Sequence, residues 1–554
     1  MTNDSPRPIE RFAVAAVMVL LLSPIVVQGA FCPMARALHT NVNALTLTFA
    51  ALGVAAVASV VHIATWRRDK PFWCIGISSI AALLLGVWLG TGPAGFAAVT
   101  IALLAVALLS GALLPWILPR LPEELDGLAP RRKVTTALVV FLGIVAVIQT
   151  ARISTFIGDH DRAELSVVPS VPFIVNHSCL TAYVEAARLA TEGAPNIYDP
   201  ENWPDLSHSE RSATHQKRYA PFALDAYAYP PPFLLLPRLL LPLPDFLAQR
   251  ALWFALNGLL ITIGLWTVAM WIGGQYRARV LLLAPLVLMS LPSILTLQIG
   301  NVHAAVMVLA MLAMVAFESK RPALGGAMLA FAIASKISPG LLVIVLLVQR
   351  RFREVLWTAG FGLAFVLLGL VVLGTAPFEA FLTYQMPMLS SGKALGFLAE
   401  DFNVPINLAP FGIPFKLKFL GMHVDDPWKA AKFVNQAFTL AIVVLTVIAA
   451  RKNEPPQTRA ATWLTILTLG TLRSPFAPAY VTFSLVWLLS VSSTEVRGAK
   501  STILLVVISL MLVLPTPLPP PQLTIFTLVQ QGVMMAFLMD SVFRKPSGKL
   551  VQKT

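Results

Sequence analysis

Acidic side chains and histidines are concentrated in one polar stretch of an otherwise apolar chain, residues 153–228. Two of its carboxylates, Asp159 and Asp161, stand two residues apart directly after an apolar run. A carboxylate there can take the proton from a hydroxyl group as it attacks a substrate, which is general-base chemistry. A pair of carboxylates can also hold a divalent cation through oxygen ligands. The alternative is that both acids begin a solvated loop and have no catalytic role.

His177 is a second candidate for the base. A neutral imidazole accepts a proton near pH 7, although an interfacial histidine often does no more than satisfy its own hydrogen bonds. His177 precedes residues 180–192, whose apolar positions have helical spacing and which are followed by Gly193. This pattern predicts an amphipathic helix that ends at the glycine.

Polar residues also stand at the ends of two apolar segments. Gln298 and Asn301 surround Gly300 at the end of one segment, and Arg473 follows another. Polar groups at membrane depth are costly, so they indicate a binding site. The alternatives are helix capping and hydrogen bonds between helices for the two amides, and a guanidinium that extends to the lipid headgroups for Arg473.

Lys336 lies at a break in the apolar sequence, between residues 322–335 and 338–349, with Pro339 shortly after it. A helix broken at membrane depth must line protein or water, and its lysine requires an anion. A phosphate suits this position, because the helix that begins after the break contributes its N-terminal amides.

The composition indicates the class of protein that positions these residues. Hydrophobic residues make up 57% of the 554-residue chain and charged residues 12%, and apolar runs of about 18–22 residues recur, as a bilayer requires. Backbone groups cannot stay unpaired in lipid, so we predict an all-α fold, a multispanning transmembrane helical bundle of about 13–15 membrane helices. The net charge of +14 is dispersed among the ends of the apolar runs, which argues against nucleic acid as a partner. Three distant cysteines give neither a disulfide framework nor a metal-binding spacing.

Basic residues occupy alternate connections between the apolar runs, and such an excess marks the cytoplasmic side. Among these residues are Arg67, Arg68, Lys70, Arg131, Arg132, Arg350, Arg351, Lys452, Arg497 and Lys500. The pattern predicts a multi-pass protein of the plasma (inner) membrane with both termini in the cytoplasm. The long loops 153–228 and 375–431 then lie on the outer, periplasmic face.

The chain is predicted to have three parts. Residues 1–130 form an N-terminal extension of four membrane helices, and residues 131–495 form a catalytic membrane core that carries both outer loops. Residues 496–554 supply C-terminal membrane helices and a cytoplasmic tail.

Several short motifs resemble glycosyltransferase family 87, which includes mycobacterial mannosyltransferases. In chain order they are Tyr183-Val184-Glu185-Ala186-Ala187, Tyr229-Pro230-Pro231, Gln298-Ile299-Gly300-Asn301, Lys336-Ile337-Ser338-Pro339, Asp401-Phe402-Asn403 and Arg473-Ser474-Pro475. The resemblance covers about residues 134–490. It implies a GT-C-type fold, with the site on the outer face of the membrane.

The resemblance also implies a substrate for each part of the site. Lys336 would meet the phosphate of a polyprenyl-phosphate sugar, usually mannose, with Arg473 as a second phosphate contact. Tyr229, Gln298 and Asn301 would shape the pocket for the sugar and lipid, with Asn403 contributed by the second outer loop. Family members place an aspartate, as the base, four residues before the tyrosine that corresponds to Tyr183, but this chain has Cys179 there. The base is then His177, Asp159 or Asp161, or the chain is a non-catalytic, divergent member.

The expected function is therefore a hexosyltransferase of the membrane, which moves mannose or another hexose or pentose from a polyprenyl-phosphate donor. The acceptor would be a lipid or an envelope glycan, and membrane lipids would surround the protein. No cofactor is required, although Asp159 and Asp161 allow a divalent cation. The alternative is a polytopic transporter or flippase, which would show repeated halves and charges near the middle of the bilayer.

Overall fold

A computed structural model describes residues 9–65, 71–126, 133–391, 393–451, 454–494, 505–511 and 518–544. Across these ranges the protein is helical and has no β-strand. The all-α prediction is confirmed.

The α-helices are numbered in chain order. They are α1 (Ile9–Ala37), α2 (Ala44–Thr65), α3 (Pro71–Leu89), α4 (Gly92–Ile117), α5 (Lys133–Gly158), α6 (Pro172–Asn176), α7 (Leu180–Thr191), α8 (Glu210–Lys217), α9 (Phe246–Ile272), α10 (Gly274–Met289), α11 (Leu291–Ile299), α12 (His303–Glu318), α13 (Pro322–Ser335), α14 (Leu341–Val348), α15 (Phe352–Leu373), α16 (Ala376–Ala380), α17 (Met386–Ser391), α18 (Asn403–Ile406), α19 (Ile413–Phe419), α20 (Pro427–Ala450), α21 (Pro456–Leu472), α22 (Phe483–Ser492) and α23 (Pro520–Phe543). Residues 505–511 are also helical.

Nine of the helices in the described ranges are long and apolar enough to cross a membrane. A tenth candidate is the pair α10 and α11, which is bent by 52°, where Ser290 and Pro292 interrupt the helix. Together with shorter apolar helices such as α12 and α13, they confirm a multispanning helical bundle. The total of about 13–15 membrane helices stays a prediction, since it depends on how many of the shorter helices cross.

The first four helices pack against one another, and α1 also packs along α5 and α9. The contact between α1 and α9 is close because Gly29 has no side chain, and a Cβ there would lie 2.3 Å from the Cβ of Ala255. At the start of α1, Arg11 pairs with Asp126 at 2.7 Å. The predicted N-terminal extension, residues 1–130, is therefore in direct contact with the predicted core.

Helix α5 continues further than the sequence suggested. Residues 153–158 were assigned to the polar insert, but the helix runs through Gly158. Its polar residues are satisfied inside the bundle, since the Thr155 hydroxyl bonds to the carbonyl of Ala151 at 2.9 Å and to Thr48 at 3.0 Å. The insert proper is residues 159–228, and we call the end of the bundle where it lies the insert end.

Helices α13 and α14 run in opposite directions without packing closely on each other, and we call this reversal of the chain, with Lys336 at its tip, the hairpin. The start of α13 and the end of α14 both lie at the end of the bundle opposite the insert. There Glu318, the last residue of α12, accepts hydrogen bonds from Arg351 and Arg459. Helix α13 has 14 residues, a rise of roughly 21 Å, so it carries Lys336 toward the insert end. The predicted break in the apolar sequence is confirmed at this position.

Several basic residues used to assign the membrane sides lie outside the described residues, namely Arg67, Arg68, Lys70, Arg131, Arg132, Lys452, Arg497 and Lys500. The assignment of the insert end to the outer face therefore stays a prediction.

Candidate active site

Two distant segments of the insert run side by side. His177 and Ala223 form an isolated parallel β-bridge, and the Ala223 amide donates to the carbonyl of Asn176 at 2.9 Å. The hydroxyl of Thr181, on the first turn of α7, accepts a hydrogen bond from the Asp225 amide at 3.2 Å. This pairing brings the side chains of His177 and Asp225 together.

His177 is the centre of a group of three reactive side chains. Its Nδ1 lies 3.3 Å from Oδ1 of Asp225, which makes an ion pair, and its Nε2 lies 3.5 Å from Sγ of Cys179. Phe173 stacks on the imidazole with a centroid distance of 4.6 Å. The side chains of His177 and Asp225 remain 14% and 21% exposed.

The environment of His177 changes its titration. Burial alone lowers the pKa of an imidazole, but the Asp225 carboxylate and then Cys179 outweigh that effect and raise the pKa of His177 well above its usual value. The Asp225 carboxylate therefore favours the charged imidazolium form of the ring. An imidazolium cannot accept a proton, and this argues against the prediction that His177 is the base.

Cys179 is fixed by the turn between α11 and α12. Its amide donates to the carbonyl of Ile299 at 2.8 Å, and its sulfur accepts a hydrogen bond from Nδ2 of Asn301 at 3.3 Å. Gly300 makes this turn possible, because it has a φ of +68° and a Cβ there would lie 3.3 Å from Leu180. The predicted motif of Gln298 to Asn301 thus reaches the insert directly.

Two tyrosines form the next wall of the site. The Tyr183 hydroxyl donates to the Tyr229 hydroxyl at 3.1 Å and accepts from the Val302 amide at 3.4 Å. The Asn301 side chain also reaches the Tyr229 hydroxyl. Tyr229 therefore connects the insert to the turn that holds Cys179.

Lys336 reaches the same site from the tip of its hairpin. Its Nζ lies 5.4 Å from the centroid of the Tyr229 ring, within the range of a cation–π interaction, and it interacts electrostatically with Cys179. No carboxylate in the described residues forms an ion pair with Lys336. The next residue, Ile337, is 67% exposed, so the hairpin tip opens toward the surface of the bundle.

The structure separates Asp159 and Asp161 from this group. Asp159 pairs with Arg162 at 3.3 Å, accepts a hydrogen bond from the Asp161 amide, and forms no described contact with His177. Asp161 is exposed. Their predicted catalytic role stays untested, but the geometry favours the residues around His177.

The remaining predicted residues have varied positions. Gln298 is fully buried and binds backbone at both ends of its amide, accepting from Val167 at 2.6 Å and donating to Ile174 at 3.0 Å. It therefore anchors the insert. Asn403 donates to the carbonyl of Phe397 at 3.1 Å in the second predicted outer loop, and Arg473 is exposed and donates to Thr439 at 3.0 Å. Neither of these two residues contacts the His177 group.

Asp225 is the residue that the sequence did not single out. It is one of the acids of the insert, but its partner His177 lies far away in the chain. One usable signal was its place four residues before Tyr229, in the approach to the Tyr-Pro-Pro motif.

The three side chains also resemble a set of metal ligands. Ligand atoms of His177, Cys179 and Asp225 lie within 4.8 Å of one another, and nitrogen, sulfur and oxygen together suit a transition metal. However, both ring nitrogens of His177 already face a partner, and Lys336 adds positive charge nearby. The arrangement fits an ion-paired imidazolium better than a divalent cation.

Comparison with known families identifies the segment that carries most of these residues. The model of glycosyltransferase family 87 matches residues 227–475. Residues 227–475 are therefore similar to members of glycosyltransferase family 87. That similarity supports a glycosyltransferase, which acts on a sugar donor and a glycan or lipid acceptor, and the helical bundle is consistent with the GT-C-type fold. A comparison with curated proteins and one with solved structures each find no significant match.

The family 87 segment includes the tyrosine, the turn and the hairpin of the site, namely Tyr229, Asn301 and Lys336. It also includes Gln298, Asn403 and Arg473. It begins after His177, Cys179 and Asp225, so these three residues lie in a part of the chain that the family model does not cover.

Proposed function

We propose that this protein transfers a sugar, mannose or another hexose or pentose, from a polyprenyl-phosphate donor to a lipid or cell-envelope glycan. The observation that supports this proposal most is Lys336, whose ammonium group has no described acidic partner. A cation in such a place needs an anion, and the phosphate of a lipid-borne sugar provides one.

The position of Lys336 suits a donor that arrives from the bilayer. Ile337 beside it is largely exposed, and the neighbouring helix α15 presents Leu363, Leu367 and Val371, which are 60%, 52% and 83% exposed. In a membrane these apolar side chains would face lipid. A polyprenyl chain can lie along them while its phosphate reaches the hairpin tip.

The chemistry follows from this placement. The acceptor hydroxyl attacks the anomeric carbon of the sugar, and the bond from that carbon to the phosphate oxygen breaks. Negative charge then grows on the departing polyprenyl phosphate, where Lys336 stabilises it electrostatically. The Tyr229 and Asn301 side chains would hold the sugar between the phosphate and the base.

We further propose that the reaction takes place at the outer, periplasmic face of the plasma (inner) membrane, because the insert contains the reactive side chains and basic residues gather in the opposite connections. The proposed reaction needs no cofactor, since the leaving phosphate already carries the activation of the sugar.

The experiment is to give membranes that contain the protein two radiolabelled donors, a polyprenyl-phosphate mannose and the corresponding nucleotide sugar. We expect transfer to membrane lipid or glycan from the first donor alone. Transfer from the nucleotide sugar in membranes free of polyprenyl phosphate would contradict the proposal. A transporter or flippase would move the lipid across vesicles without forming a new glycoside.

A further inference from the structure

We propose that Asp225 is the general base of this reaction and that His177 positions its carboxylate. This inference rests on the proposed function and names the atom that receives the proton of the acceptor. It differs from the bases expected from the sequence, which were Asp159, Asp161 and His177.

The location of Asp225 supports this role. Its carboxylate lies within 4.8 Å of Sγ of Cys179, and Cys179 in turn interacts electrostatically with Lys336. Asp225 also interacts electrostatically with Tyr229 and Tyr480. A sugar whose phosphate meets Lys336 therefore has this carboxylate across the same small site.

Three of the other acids of the insert are occupied elsewhere, whereas Asp205 lies near the pair and interacts electrostatically with both Asp225 and His177. Glu185 is fully buried and accepts hydrogen bonds from Arg218 and Tyr219, and Asp159 pairs with Arg162. Asp199 caps the short 3-10 helix at Pro200–Asn202. One carboxylate oxygen of Asp225 contacts His177, and the side chain remains partly exposed. Among the described residues, Asp225 forms no ion pair with an arginine or lysine.

His177 serves as the positioning residue in this arrangement. Its imidazolium faces Oδ1 of Asp225 on one side and the Cys179 sulfur on the other, and Phe173 stacks on the ring. The ring therefore fixes one carboxylate oxygen and leaves the second to meet the acceptor. As an imidazolium it has no free lone pair with which to take the proton itself.

The step balances without any further reactant. The O–H bond of the acceptor breaks, and its proton passes to a carboxylate oxygen of Asp225. The acceptor oxygen forms a bond to the anomeric carbon, and the bond from that carbon to the phosphate oxygen breaks. Its electron pair stays with polyprenyl phosphate, which leaves as an anion beside Lys336.

The site offers a rescue experiment, because Cys179 places a second short side chain close to the Asp225 carboxylate. The variants are Asp225→Asn, the double variant Asp225→Asn with Cys179→Asp, and the double variant Asp225→Asn with Cys179→Ser. Glu201→Gln is the matched control, since it removes an exposed carboxylate of the same insert. Transfer from polyprenyl-phosphate mannose and binding of that donor are measured separately for each purified protein in lipid vesicles.

We expect Asp225→Asn to lose about a hundredfold or more in transfer rate, the usual effect of removing a general base, while it binds the donor within about twofold of wild type. The Cys179→Asp change should restore at least about tenfold of the lost rate, and Cys179→Ser should restore none. His177→Gln should lower the maximal rate and change its pH profile, with little change in the apparent affinity for the donor.

Two results would overturn the assignment. One is an Asp225→Asn protein that transfers at a rate comparable to that of the Glu201→Gln control. The other is an Asp225→Asn protein that binds donor normally but gains nothing from Cys179→Asp. A wild-type protein that binds the donor and transfers no sugar would instead refute the proposed function itself.

Discussion

The Nδ1 atom of His177 lies 3.3 Å from Oδ1 of Asp225, although the two residues are 48 positions apart in the chain. The β-bridge between His177 and Ala223 brings the two segments together, and the turn after α11 holds Cys179 against the contact. The contact joins the folding of the insert to the chemistry of the site.

The ion pair predicts how stability depends on pH. The pKa of His177 is raised above its usual value of 6.5. The ion pair therefore contributes its full stabilisation to the folded protein below pH 6.5, and this stabilisation is lost as the pH rises through the folded-state pKa. Cys179 and Asp205 also interact electrostatically with His177. We expect the difference in melting temperature between wild type and His177→Gln to be largest near pH 6 and to shrink in alkaline buffer.

Tryptophan fluorescence of the protein in detergent measures this difference. His423→Gln is the control, because His423 is 92% exposed and pairs with an equally exposed Asp425. A difference that grows with rising pH would show that the imidazole is neutral in the folded protein.

Lys336→Ala is expected to weaken donor binding by roughly tenfold to a hundredfold, the usual effect of losing a hydrogen bond to a charged group. Lys336→Arg should keep part of the affinity, since it keeps the charge. The measurement is equilibrium binding of radiolabelled polyprenyl-phosphate mannose. The control is Lys320→Ala, since Lys320 is exposed at the opposite end of the bundle, and this variant should bind the donor as wild type does. Equal donor affinity in all variants would show that Lys336 does not bind the phosphate.

Glu185→Gln should loosen the insert. The buried carboxylate accepts hydrogen bonds from Arg218 at 2.8 Å and from the Tyr219 hydroxyl at 2.7 Å. The loss of one such charge-assisted bond lowers the free energy of unfolding by about 1.5–3 kcal/mol. Limited proteolysis should then cut within residues 205–220 faster than in wild type. Glu201→Gln, an exposed carboxylate in the same insert, should resist cleavage as wild type does, and unchanged cleavage of Glu185→Gln would show that this cluster does not hold the insert.

Gly29→Ala tests the contact between the N-terminal extension and the rest of the bundle. The added Cβ would lie 2.3 Å from the Cβ of Ala255, so α1 and α9 must separate, at a cost of about 1–3 kcal/mol. The melting temperature should fall accordingly. Gly53→Ala is the control, since a Cβ there meets no atom within 4 Å; an equal melting temperature for both variants would mean that the two helices adjust freely.

Removal of divalent cations should leave the transfer rate unchanged. The carboxylate and the sulfur of the site already face the His177 imidazolium, and Lys336 adds a second positive charge, so a divalent cation would be repelled. The rate is compared before and after treatment with a chelator. A loss of activity that zinc or manganese restores would instead assign His177, Cys179 and Asp225 as ligands.

The helical elements were predictable because their signals are local. Pro339 and the polar residues before it predicted the break at Lys336, and Gly193 predicted the end of α7, since it adopts a φ of +79°. The end of α5 was misplaced because Ser154 and Thr155 appear polar in the sequence, whereas in the bundle the Thr155 hydroxyl bonds to its own helix and to α2.

The site was harder to predict because its contacts join distant residues. No local pattern connects His177 to Asp225, which meet through a single β-bridge. Gln298 shows the opposite difficulty, since a buried amide that anchors backbone has the same sequence signature as one that binds a sugar. Asp159 and Asp161 directly follow α5, but Asp159 pairs with Arg162 and has no described contact with His177.

The central claim is that a polyprenyl-phosphate sugar is the donor and that Lys336 meets its phosphate. The most direct measurement is the initial rate of sugar transfer by purified protein in vesicles that contain polyprenyl-phosphate mannose and a membrane extract as acceptor, for wild type, Lys336→Ala and Lys320→Ala. We expect transfer by wild type and Lys320→Ala and a rate at least about tenfold lower for Lys336→Ala. Equal rates for all three proteins, or no transfer by wild type with the donor bound, would contradict it.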